Sequence, residues 1–204
     1  MRKLILLLFL LPVWSLPARG MDYERIKRAY QLSYQFERRG EYARAREALL
    51  PVYENFPRGY TVNLRLGWLF YLEGHYRNAI HHYRIAAAVA PGAVEPLLGL
   101  SLPYLAQKNW TRVEALMYQV LKRDFYNYYG NLRLAVALRK EGKYAQAEAV
   151  CRKMLTLYPT DTAFLTELAL DLYQQGKRRR ALEIFRNILI LDPANPVASK
   201  YVSP

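Results

Sequence analysis

The chain repeats itself every 34 residues, and no other feature limits its fold as strongly. Gly40, Gly74, Gly142 and Gly176 lie 34 or twice 34 residues apart, as do Pro57, Pro91, Pro159 and Pro193. Lys108 and Phe125 occupy the two lattice points where the middle copy departs. Five copies, 26–59, 60–93, 94–127, 128–161 and 162–195, tile the chain without a gap. Each holds one helical run ending near the glycine and a second ending near the proline. Helices this short cannot bury their apolar faces within one pair, so neighbouring copies must cover one another.

The lattice is filled with matching shapes. Leu32, Leu66, Leu100, Leu134 and Leu168 share one position, followed by the small residues Ser33, Gly67, Ser101, Ala135 and Ala169. Ala45, Ala79, Val113, Ala147 and Ala181 face them from the second run, and Phe36, Phe70, Tyr104, Leu138 and Leu172 supply bulk. Small residues let helices approach and bulky ones fill the gaps, so these positions are read as core. Cys151 stands where the other copies have Leu49, Tyr83, Met117 and Phe185, so it is read as a buried hydrophobe.

With these positions in hand, the chain resembles the tetratricopeptide repeat family over about five sixths of its length. The resemblance implies an all-α fold: a right-handed α-solenoid of five helix-turn-helix repeats. It also implies a concave groove, lined by the first helix of each copy, that binds peptides or partner proteins.

Residues 1–20 differ in kind. Arg2 and Lys3 precede an apolar run from Leu4 to Trp14, and Ala18-Arg19-Gly20 offers small residues for cleavage before Met21. The run is short of the roughly 20 residues that span a bilayer, so a cleavable signal peptide is expected in preference to an anchor. The mature protein is expected to be exported and periplasmic, with secretion or tethering by an uncleaved signal as alternatives. Residues 21–195 form the expected solenoid. Residues 196–204 form a short tail, from which Val197, Tyr201 and Val202 either fold back as a partial cap or leave an apolar end free for a second protomer.

Thirty Lys and Arg oppose 17 Asp and Glu, a net +13 of which Arg2, Lys3 and Arg19 contribute three. The turns between the paired helices carry Arg38, Arg39, Lys108, Arg139, Lys140, Lys143, Lys177, Arg178, Arg179 and Arg180. In a solenoid these turns share an edge, which suits either helix-dipole compensation or an acidic polysaccharide or membrane surface. Nucleic acid is not an expected partner of an exported protein.

Helical spacing places Tyr30 and Tyr34, then Arg65, Trp68 and Tyr71, on the free face of the first helices. Leu98 and Leu102, Tyr129 and Arg133, and Tyr173 continue that face. Aromatic and arginine side chains there suit a protein or peptide partner, with Arg65 and Arg133 expected to orient it. The aromatic stretch Asp124–Asn131 between copies three and four is expected to pack rather than to hold a ligand. No nucleophile with a base, phosphate loop or paired carboxylates is present, and no metal or other cofactor is called for. The expectation is a non-catalytic envelope scaffold that binds an apolar peptide; the alternative is an accessory of polymer export that binds anions along its basic edge.

Overall fold

In the computed structural model, residues 21–202 are described; the expected signal peptide lies outside them. The first helices of the five copies are α1 (Tyr23–Arg38), α4 (Tyr60–Leu72), α6 (Glu95–Ala106), α8 (Tyr128–Lys140) and α10 (Thr162–Gln174). Their partners are α2 (Tyr42–Glu47) with α3 (Leu50–Asn55), then α5 (Tyr76–Val89), α7 (Trp110–Arg123), α9 (Tyr144–Leu155) and α11 (Arg178–Leu191). A last helix, α12, covers Pro196–Val202. Each hairpin packs on the next, so the chain is an all-α solenoid of stacked helix pairs.

One backbone device ends the first helix of every copy. Gly40, Gly74, Gly142 and Gly176 take φ between 73° and 78°, in the left-handed region. The following amide donates back to the bulky residue of the lattice: Glu41 to Phe36, His75 to Phe70, Lys143 to Leu138 and Lys177 to Leu172. The middle copy closes identically, Asn109 to Tyr104, but Lys108 must itself adopt φ 56°. Side-chain caps from Asp22, Asn109, Asn127 and Asp161 start α1, α7, α8 and α10.

The lattice core is buried throughout the inner copies. Ala45, Ala79, Val113, Ala147 and Ala181 are inaccessible, and Leu66, Leu100, Leu134 and Leu168 are buried. Leu32 corrects the pattern: it is 40% exposed, because no described helix precedes α1 to cover it. The second helix of copy one is also split, since Pro51 has no amide to donate to Glu47, and α2 and α3 meet at Ala48–Leu49.

At the other end α12 folds back over the last hairpin. Tyr201 stacks on Phe185 at 4.5 Å with rings 6° from parallel and meets Tyr173 edge-on at 4.9 Å, while Ala198 is fully buried. The apolar end of α11 is thus partly covered by the chain itself. Ile190 and Leu191 stay outside that lid.

Candidate functional site: the face of the first helices

The free face of α1 and α4 carries a pocket of about 370 Å³ lined by Tyr30, Tyr34, Thr61, Leu64, Arg65 and Trp68. The Tyr30 hydroxyl donates to Thr61 Oγ1 at 3.1 Å, tying the two helices across its rim. Burial raises the Tyr30 phenol above its ordinary pKa. Tyr34 is 47% exposed and the Arg65 guanidinium lies over its ring, with its carbon 3.9 Å from the centroid.

Below the pocket is a polar network that leaves only Arg65 Nη2 without a hydrogen-bond partner among its arginine nitrogens. Glu37 accepts from Trp68 Nε1 at 2.6 Å and forms an ion pair with Arg65, whose Nε donates to Ser33 Oγ at 3.3 Å. Trp68 is therefore held in one orientation, and the pocket floor is neutral. Arg65 is only 8% exposed, so its expected role in orienting a ligand is corrected: its charge is consumed inside the protein.

Arg133, the same lattice position in copy four, also turns toward the preceding copy, but meets neutral groups rather than a carboxylate. Its Nη1 donates to the Leu98 carbonyl at 2.6 Å and to Ser101 Oγ at 2.8 Å. Arg65 to Ser33 and Arg133 to Ser101 are thus one interaction made twice, each joining a copy to the preceding one. Burial lowers the pKa of Arg133, and Tyr71, Tyr83 and Tyr129 surround it. Tyr129 remains 58% exposed.

All the expected groove residues but Leu102 therefore fall into three groups. Tyr30, Tyr34, Arg65 and Trp68 share the pocket; Tyr71 reaches from Trp68, at 5.7 Å between ring centroids, toward the Arg133 cluster of Leu98 and Tyr129; Tyr173 stands apart under Tyr201. Leu102 is half-buried and lines no pocket described. Glu37 and Thr61 were not among the expected residues. Glu37 sits beside Arg38-Arg39 in sequence, where a carboxylate reads as a local charge partner, and only the fold shows it under Trp68.

The basic edge divides as well. Arg139 is bidentate on Glu167, at 2.6 and 3.2 Å; Lys143 pairs with Glu114 and Glu141, Lys177 with Glu148, and Arg179 with Glu183. These cations join copies or brace helices, which corrects the picture of one free stripe. Among the described residues, no acid pairs with Arg38, Arg39, Lys108, Lys140, Arg178 or Arg180.

The aromatic stretch between copies three and four is split in the same way. Tyr128 packs on Phe164 at 5.3 Å and donates to Asp161 Oδ2 at 2.9 Å, as expected of a packing residue. Phe125 and Tyr126 stay exposed, with the Lys153 ammonium 3.9 Å from the Phe125 ring centroid.

Family models described as tetratricopeptide repeat match residues 30–94 and 104–162, and a second such model matches 138–200. Among solved structures, MamA residues 41 to the end from Desulfovibrio magneticus RS-1 superposes with a TM-score of 0.76 at 14% identity, over 85% of this chain and 98% of that one. A MamA AMB-1 crystal form gives 0.69 at 23% identity, over 90% and 100%. YrrB, described as a tetratricopeptide repeat protein with an unusual peptide-binding site, gives 0.70 at 12% identity, over 84% and 89%. At such identities the superpositions speak for the fold alone.

Proposed function

Because the chain belongs to the tetratricopeptide repeat family, we propose that it is a non-catalytic scaffold holding an apolar segment of a partner protein against α1 and α4. The pocket between Tyr30, Tyr34, Leu64 and Trp68 carries this reading. It offers aromatic walls on a neutral floor, and Glu37 fixes Trp68 before any ligand arrives, so little ordering cost falls on binding. The peptide-binding site named for YrrB supports a peptide as the occupant. Export to the cell envelope belongs to the same proposal and rests on the leader in residues 1–20. No described helix is long and apolar enough to cross a membrane.

The test uses a photocrosslinking amino acid at Tyr34, facing the pocket, in cells that produce the full chain. A crosslinked apolar peptide, lost with Trp68→Ala, supports the reading; crosslinks unaffected by Trp68→Ala overturn it. N-terminal sequencing of the mature protein tests export, which predicts a chain starting at Met21.

A further inference from the structure

Arg178, Arg179 and Arg180 are unlike the other cations of the turns, whereas Lys177 repeats the N-cap position and ion pair of Lys143 in copy four. Arg38 and the pair Arg139 and Lys140 sit in the last turns of α1 and α8, where positive charge complements the helix dipole. Arg178, Arg179 and Arg180 are the first three residues of α11, Lys177 is its N-cap without a side-chain cap bond, and no acid lies in that first turn. Three guanidiniums thus face the positive end of a helix, an arrangement that works against the fold.

Neighbours compensate only part of this charge. Lys177 is drawn to Glu148 at 3.0 Å, and Arg179 meets Glu183 at 3.4 Å with both side chains largely in water. Arg178 and Arg180 have no carboxylate among the described residues. Arg178 instead lies 5.5 Å from the ring centroid of Tyr173, whose ring is also met edge-on by Tyr201 of α12.

We infer that Arg178 and Arg180, with Arg179 beside them, form a docking site for an acidic segment of a protein partner. Guanidiniums bind carboxylates through paired N–H groups, which suits aspartate and glutamate side chains. A bilayer is disfavoured as the occupant because no large hydrophobic residue between Tyr158 and Ile190 is markedly exposed beside the cluster. The inference rests on the proposed function only in taking the partner to be a protein.

The probe is a fluorescein-labelled ten-residue glutamate peptide titrated into the purified protein at low and moderate salt. Arg178→Glu with Arg180→Glu is expected to weaken binding about tenfold or more while raising Tm by about 2–4 °C, since the dipole is then complemented. Arg38→Glu with Arg39→Glu should change the affinity less than about twofold, and Trp68→Ala should leave it unchanged, so failure of the pocket and failure of this site are separable. Unchanged affinity in the Arg178/Arg180 variant, equal loss in the Arg38/Arg39 variant, or a lowered Tm in the former overturns the inference. So does binding of dextran sulfate or phosphatidylglycerol vesicles in the absence of peptide binding.

Discussion

Tyr83 of α5 lies so close to Gly99 of α6 that a Cβ on that glycine would stand 2.2 Å from Tyr83 Cε1. Gly67 of α4 borders the same ring, where a Cβ would come within 2.9 Å. One buried tyrosine therefore wedges copies two and three together, and two glycines on different helices make its slot. The other copies put Leu49, Met117, Cys151 and Phe185 at that position, and none of their first helices has a glycine pair to match.

Gly99→Ala should accordingly destabilise the protein by about 1–3 kcal/mol through overpacking against a rigid ring. Tyr83→Leu, the side chain used in copy one, should relieve part of that cost in the double variant. Urea unfolding of the four proteins in a double-mutant cycle measures the coupling, which should be close to zero if Gly99 served only helix approach.

The pair Glu37 and Arg65 should fail asymmetrically. Glu37→Ala leaves Arg65 buried without its counterion and frees the Trp68 indole, so about 2 kcal/mol of stability should be lost. That figure is below the fully buried value because the Glu37 side chain remains 22% exposed. Glu37→Ala with Arg65→Met should recover most of the stability, measured by thermal unfolding, whereas peptide binding at the pocket should stay impaired because Trp68 is no longer held.

Lys108 adopts left-handed φ where the other four copies have glycine. Lys108→Gly should stabilise by about 1 kcal/mol, the strain released less the extra freedom that glycine gives the unfolded chain. Denaturant unfolding checks this, and a loss of stability would show that the lysine side chain contributes more than its backbone costs.

Asp171 makes stability depend on pH. It is fully buried in α10 at the lattice position of Leu69 and Ala137, and neither carboxyl oxygen has a hydrogen-bond partner. Burial, with Glu167 and Glu148 nearby and Arg139 acting the other way, pushes its pKa up to about 8. The folded state thus holds a proton that the unfolded chain releases near pH 4, so Asp171 favours folding at low pH and its contribution is lost as pH rises through 8.

His82 opposes this at the acid end. Burial, then His81, lowers its pKa to about 4, so its contribution is lost as pH falls from about 6.5 through 4. The two slopes oppose each other between roughly pH 4 and 6.5, leaving Asp171 unopposed above that range. Stability should fall by up to about 1.4 kcal/mol per pH unit between about 6.5 and 8. Asp171→Asn should remove that fall in thermal melts run across this range.

The period of 34 residues was enough to reveal the solenoid, because every turn, cap and small-for-large exchange recurs at fixed spacing along the chain. Gly40, Gly74, Gly142 and Gly176 reveal a backbone requirement that depends only on local φ, and the inaccessible residues Ala45, Ala79 and Ala147 follow from helix periodicity. Tyr30, Tyr34, Arg65 and Trp68 could likewise be placed together, since helical spacing assigns a face and stacking brings consecutive first helices side by side. What spacing could not say is where a charge is spent. Arg65 binds Glu37 and Ser33, Arg133 binds Leu98 and Ser101, and Arg139 binds Glu167, in each case across a boundary between copies where the partner's depth and direction depend on packing. Local sequence sets backbone geometry and hydrophobic face; only the stacked structure decides which polar groups meet, because those contacts join residues some 30 positions apart.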